Sequence, residues 1–92
     1  MLSHYCYILS DKNRKFLYVG YTCDIKKRMT QHKSGNGSNF TKKYFVFDLI
    51  YFEIFNSSIL GRNREKQLKN WHKEWKWNLV RMSNPELKTL EI

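Results

Sequence analysis

The alternation of hydrophobic and polar positions predicts three strands, the first two of which form a hairpin. Residues 4–9 and 16–21 are aromatic and aliphatic, as strands prefer, and a short polar link separates them. So short a connection predicts antiparallel pairing. Residues 45–55 form the third and strongest strand. Because that segment is apolar on both faces, it is expected to lie centrally in the sheet or to be covered on two sides.

The segment after the hairpin changes to a helical period. Residues 22–35 place Ile25, Met29 and His32 at helical spacing, with a capping residue before them and a glycine at the end. The Gly/Ser/Asn-rich stretch 34–44 that follows predicts a loop, which turns basic towards its end.

The last third of the chain is predicted to be helical. Residues 56–77 predict a long helix in which Trp71 and Trp75 belong to the buried stripe, while Trp77 is expected to be exposed. The Ser-Asn-Pro sequence at 83–85 predicts the start of a further short helix. The predicted fold class is therefore α/β (α+β): one domain over residues 1–92, with a three-stranded antiparallel sheet flanked by helices in the order β-β-α-β-α-α.

Charge narrows the choice of partner. The chain carries 17 Lys and Arg against 8 Asp and Glu, a formal net charge of +9, which favours a partner that bears phosphates. No apolar run is long enough to span a bilayer, and no signal peptide is predicted, so no membrane partner is expected. Cys6 and Cys23 have neither metal-ligand nor disulfide spacing, which favours reduced thiols and a cytoplasmic location. The pattern indicates no particular oligomeric state.

Five side chains stand out as candidates for chemistry. Tyr7 and Tyr18 lie on the paired strands, and Arg28 and His32 are four residues apart on the first helix, so they share a helical face. Glu65 leans towards the buried stripe of the long helix. Each has an ordinary structural explanation: a strand tyrosine is commonly part of the core, and a helix glutamate commonly pairs with a neighbouring cation.

Taken together, these residue types suit phosphodiester hydrolysis. Arg28 would stabilise the charge that builds on the phosphate, and Glu65 would hold Mg²⁺ or Mn²⁺, since such ions often use a single carboxylate together with phosphate oxygens. The base that activates water is left open between Tyr18 and His32. A tyrosine ordinarily titrates near ~10, whereas a histidine has a more convenient intrinsic pKa.

The motifs resemble those of the GIY-YIG nuclease superfamily. The triplet YCY at 5–7 departs from the first signature but keeps its tyrosine, and YVG at 18–20 is a close variant of the second. The helix CDIKKRMTQH, the segment RNREKQLKNW at 62–71 and the tail NPEL are similar to the small standalone members, relatives of the nuclease module of the bacterial excinuclease C subunit.

The resemblance implies metal-dependent cleavage of DNA, with particular roles for these residues. Tyr18 would be the general base or water activator, with Tyr7 positioning the water or sharing that task. His32 would orient the base or water, Arg28 would stabilise the phosphate, and Glu65 would hold the ion.

The expected function is a metal-dependent DNA endonuclease in DNA repair or related DNA metabolism, with branched and single-stranded DNA as candidate substrates. The alternatives are a catalytically weak nucleic-acid binding module and an adaptor for a protein partner. Basic side chains late in the loop and along the long helix are expected to grip phosphates: Lys42, Lys43, Arg62, Arg64 and Lys69.

Overall fold

A three-stranded antiparallel sheet forms the centre of the protein, in a computed structural model that describes residues 2–92. Strand β1 (His4–Ser10) pairs with β2 (Leu17–Thr22) on one side and with β3 (Asp48–Phe55) on the other, so the strand order is β2-β1-β3. The predicted hairpin and fold class are confirmed. The central strand is β1, however, and β3 lies at an edge with both of its faces covered.

Helices cover both faces of this sheet. Four are present in the described part of the chain: α1 (Ile25–Lys33), α2 (Asn39–Tyr44), α3 (Ser58–Lys69) and α4 (Lys73–Ser83). On one face, Cys6, Ile8 and Val19 pack against side chains of α3 and α4. On the other, Tyr7 and Leu9 pack against α1 and the segment before β3. Alternate residues of β1 therefore enter two separate cores, as the pleat of a strand requires.

Helix α2 lies in the segment that the sequence predicts as a loop. Its N-cap, Ser38, accepts a hydrogen bond from the backbone of Thr41, which satisfies a donor of the first turn. It ends at Phe45, whose φ of 56° is left-handed, so β3 begins only at Asp48 rather than at residue 45. The weak helical signal is explained by length, because one and a half turns carry too few positions to show a period.

The predicted long helix is divided in two. Helix α3 ends at the C-cap Asn70, and α4 begins after His72, so the phase of the helical pattern changes between them. As a result Trp77 is buried and Trp75 is 54% exposed, the reverse of the prediction, while Trp71 packs against the core. The order β-β-α-β-α-α still holds for the main elements, with α3 and α4 as the last two helices and α2 as an addition.

The short helix predicted from residue 83 does not form. Asn84 stands before Pro85, and residues in that position avoid the helical region. The Asn84 amide instead donates to the backbone carbonyls of Ile50 and Lys88, at 3.0 and 2.8 Å, and so fastens the C-terminal segment to β3. No helix among residues 2–92 is long and apolar enough to cross a membrane. Both cysteines are free thiols, with Cys6 buried and Cys23 exposed.

Candidate active site

The hairpin places Tyr7 and Tyr18 on the same face of the sheet. Tyr7 pairs with Gly20 and Leu9 pairs with Tyr18, so the two tyrosines are diagonal neighbours. Their ring centroids are 6.4 Å apart, and His32 of α1 lies beside both, at 5.9 Å from Tyr7 and 5.5 Å from Tyr18. Tyr7 and His32 are fully buried, whereas Tyr18 is only half-buried.

Gly20 leaves the space that the Tyr7 ring occupies. A Cβ atom at Gly20 would lie 2.3 Å from Cζ of Tyr7 and 2.4 Å from its hydroxyl. A glycine inside a strand often marks such a close approach. The glycine of the YVG triplet thus leaves room for the tyrosine of the YCY triplet on the paired strand.

A chain of hydrogen bonds fixes the His32 imidazole. The Thr41 hydroxyl donates to the Ser38 carbonyl, so towards His32 it can only accept, and His32 Nδ1 lies 3.2 Å away. The network therefore assigns the proton to Nδ1, and the Tyr7 hydroxyl donates to the bare Nε2 at 2.9 Å. Gly37 closes the site, since a Cβ there would lie 2.2 Å from Nδ1.

Burial keeps this group of side chains neutral. It lowers the pKa of His32 to about 4, with a further contribution from the positive charge of Arg28. Burial also raises the pKa of Tyr7 well above its usual value, a shift that the Tyr18 phenol and the Glu65 carboxylate reinforce and that Arg28 opposes. His32 is therefore an uncharged acceptor near neutral pH, and Tyr7 keeps its proton.

Arg28 and Glu65 meet in a cleft at the edge strand β2. Helix α1 lies on one face of the sheet and α3 on the other, and β2 has no strand on its outer side, so the two helices approach each other around it. The cleft encloses about 320 Å³. Its lining consists of Tyr21, Thr22, Cys23, Arg28, Arg62 and Glu65.

Arg28 forms no ion pair with a carboxylate of residues 2–92. Its guanidinium is half-exposed, lines the cleft, and lies close enough to Tyr7 and His32 to affect the pKa of each. An arginine in this position is available to an anion that enters the cleft.

Glu65 is the carboxylate that fits a divalent ion in this cleft. Its side chain is 23% exposed and forms an ion pair with Lys69 at 3.0 Å. Residues 2–92 hold no group of three or more His, Cys, Asp or Glu side chains arranged around a common point. A single carboxylate matches Mg²⁺, which commonly keeps water and phosphate oxygens in its remaining positions.

The five cations expected at a phosphate surface are placed differently from one another. Lys42 and Lys43 are exposed on α2, and Arg62 lines the cleft with its guanidinium 4.5 Å from the centre of the Tyr21 ring. Lys69 pairs with Glu65. Arg64 donates to both carboxylate oxygens of Glu53 at 3.0–3.2 Å.

Several residues that contact the site were not predicted from the sequence. Thr41 and Gly37 complete the surroundings of His32, but both lie in the segment predicted as a loop. Tyr21 lies on the other face of the sheet, where its hydroxyl is 2.6 Å from His4 Nδ1. Of these features, the sequence predicts only that Tyr18 and Tyr21 lie on opposite faces of β2, because side chains alternate along a strand.

Comparison with known proteins gives this arrangement a family. The family model described as the GIY-YIG catalytic domain matches residues 3–78, which include both tyrosines, Arg28, His32 and Glu65. The chain belongs to the GIY-YIG family. The GIY-YIG domain is a nuclease fold, and nucleases of this family generally depend on a divalent metal and act on nucleic acid.

Curated relatives of similar length share this GIY-YIG domain. A UPF0213 protein of Haloquadratum walsbyi is 33% identical, with 84% of this chain and 85% of the relative covered. A UPF0213 protein of Staphylococcus haemolyticus is 32% identical, with 87% and 96% covered. The solution NMR structure of a UPF0213 protein of Bacillus halodurans superimposes with a TM-score of 0.58 at 31% identity, over 90% of this chain and 87% of that one.

Proposed function

We propose that this protein is a metal-dependent endonuclease that hydrolyses phosphodiester bonds of DNA in the cleft beside β2, in DNA repair or related DNA metabolism. The observation that carries the proposal is the meeting of Arg28 from α1 and Glu65 from α3 around an edge strand, next to the paired tyrosines. The net charge of +9 supports a polyanionic substrate.

Arg28 and Glu65 have separate tasks in this proposal. Arg28 binds the scissile phosphate and stabilises the negative charge that develops on it. Glu65 holds Mg²⁺ or Mn²⁺, and an ion bound there supplies neutralisation of the leaving oxygen. Lys69 orients the Glu65 carboxylate through their ion pair.

The tyrosines and His32 share the handling of water. His32 is 1% exposed and both its ring nitrogens are hydrogen-bonded, which argues against direct contact with the attacking water. Tyr7 is also buried, and its hydroxyl donates a hydrogen bond to His32. Tyr18 is the half-buried member of the group, and it is the side chain that we assign to contact and activate the water. His32 and Tyr7 position it.

Cutting by matched carboxylate variants tests the proposal. The protein is incubated with single-stranded, duplex, flap and branched DNA, with Mg²⁺, with Mn²⁺ and with chelator. We expect metal-dependent products from the wild type and a loss of about 100-fold or more in Glu65→Gln. Glu74→Gln is the control, because Glu74 is an exposed carboxylate of α4 outside the cleft.

Two outcomes would contradict the proposal. Equal cutting by Glu65→Gln, Glu74→Gln and the wild type would point to a contaminating nuclease. Binding of DNA that weakens steeply with salt, without cutting under any condition, would instead favour a nucleic-acid binding module.

A further inference from the structure

Four aromatic side chains continue outward from the candidate site along the edge strand. This aromatic patch consists of Phe16, Tyr18, Phe40 and Tyr44. The ring of Phe40 is nearly parallel to that of Tyr18, with an interplanar angle of 24° and a centroid distance of 6.4 Å. Phe40 also lies 4.9 Å from Tyr44, and Tyr44 lies 4.6 Å from Phe16. The patch therefore begins at the tyrosine that we assign to water activation.

The outer member of the aromatic patch is open to a partner. Phe40 is 38% exposed although it belongs to a short helix with a buried side, and the other three rings are half-buried. Such partial exposure of contiguous rings is typical of a surface that receives another flat group.

Positive charges surround the aromatic patch. The ammonium groups of Lys43, Lys69 and Lys73 lie 5.3, 5.9 and 6.0 Å from the ring centres of Tyr44, Tyr18 and Phe16 respectively. These three lysines come from α2, α3 and α4, so separate elements converge on the same rings. Aromatic rings inside a cationic border match a polyanion with flat, uncovered bases.

We propose that the aromatic patch binds an unpaired base of single-stranded DNA, with Phe40 as the stacking residue, and thereby directs the protein to single-stranded rather than duplex DNA. Because the Phe40 ring lies against Tyr18, a base stacked on Phe40 is held at the edge of the candidate site. In a duplex, the faces of the bases are covered by their neighbours, and only the phosphates remain for the lysines. The inference rests on the proposed function for its choice of DNA as the ligand.

Binding measured in chelator, without cutting, tests the proposal. Fluorescence anisotropy compares a labelled single strand of about ten nucleotides, the same strand with abasic sites, and a duplex of equal length. We expect the wild type to bind the normal strand about fivefold or more tighter than the abasic strand, which carries the same phosphates. Equal affinity for the two would overturn the proposal without reference to any variant.

Substitutions of Phe40 then locate the effect. Phe40→Leu keeps apolar bulk but removes the ring, and we expect it to lose about fivefold in affinity for the normal strand while its affinity for the duplex stays unchanged. Phe40→Tyr should retain binding. Trp75→Leu is the matched control, since Trp75 is exposed and its ring contacts Trp71 and His72 instead. An equal loss in Phe40→Leu and Trp75→Leu, or no loss in Phe40→Leu, would overturn the proposal.

The two proposals fail in different ways. Base-dependent binding of single strands without metal-dependent cutting would contradict the proposed endonuclease activity but support the stacking of bases on the aromatic patch. Cutting without any preference between the normal and the abasic strand would do the reverse.

Discussion

Arg28 and Arg64 lie on opposite sides of the sheet, and they differ in whether the fold supplies a carboxylate to pair with the guanidinium. Arg64 donates to both oxygens of Glu53, which also accepts from the Tyr51 hydroxyl, so this group satisfies itself within the fold. Arg28 stands beside the neutral Tyr7 and His32 and enters none of the ion pairs of residues 2–92. The charge of Arg64 is thus balanced by Glu53, whereas Arg28 has no ion-pair partner among residues 2–92.

The tyrosines near these arginines make the same point. Burial raises the pKa of Tyr51 and of Tyr7 alike, but the second cause differs: for Tyr51 it is the hydrogen bond to the Glu53 carboxylate, and for Tyr7 the neighbouring Tyr18 phenol. A carboxylate and a guanidinium balance the charge around Tyr51. Around Tyr7 no carboxylate is bound directly, so the group stays neutral and leaves Arg28 uncompensated.

Exchanging each arginine for alanine should give the largest difference between the two sides of the sheet. Arg28→Ala removes the cation that stabilises the phosphate, and we expect cutting to fall by about 100- to 1,000-fold with little change in stability. Arg64→Ala leaves Glu53 without its partner, and we expect a loss of about 2 kcal/mol in the free energy of unfolding. Cutting rates and urea unfolding of both variants decide this. A stability loss in Arg28→Ala equal to that of Arg64→Ala would give both arginines a structural role.

Two glycines test how tightly each side is packed. Gly20→Ala drives a methyl group into the buried Tyr7 ring, and we expect a loss of about 3 kcal/mol in the free energy of unfolding together with weaker cutting. Gly61→Ala, on the α3 side, approaches Cε1 of the half-buried Tyr21 at 2.8 Å. Because the Tyr21 ring is only half-buried, the loss for Gly61→Ala should be about 1 kcal/mol. Thermal and urea unfolding measure both, and a smaller loss for Gly20→Ala would show that Tyr7 is not confined.

Acid should weaken the Tyr7 side selectively. The pKa of His32 is about 4 in the folded protein and near the ordinary histidine value of 6.5 in the unfolded chain, so the unfolded state binds the proton first as the pH falls. The stabilisation is complete above pH 6.5 and is lost as the pH falls towards 4, with about 2 kcal/mol lost between pH 7 and pH 5. The side chains that face the His32 ring are those of Tyr7, Tyr18, Thr41 and Arg28.

His32→Gln isolates this effect from the titration of carboxylates elsewhere. Glutamine is neutral at every pH, so the unfolding free energy of the variant should change less between pH 7 and pH 5 than that of the wild type. Identical dependence of the unfolding free energy on pH in the variant and the wild type would show that folding does not lower the pKa of His32.

The elements with a long repeating pattern were predictable, and the short or interrupted ones were not. The hairpin, α1 and the apolar third strand follow from local alternation, and the common face of Tyr7 and Tyr18 follows from pairing across a short turn. Helix α2 is too short to show a period, and the break at Asn70 shifts the phase of α4, which exchanged the exposures predicted for Trp75 and Trp77.

The sequence by itself determined the pairing of β1 with β2, the positive charge and the set of side chains able to serve at a phosphate, because these depend on spacing along the chain and on residue type. Only the tertiary structure decided which of them share a cleft. Arg28 and Glu65 lie on opposite faces of the sheet and meet because β2 is an edge strand. Likewise, whether an arginine is free or bound depends on which carboxylate the fold brings to it, and no local pattern records that distance.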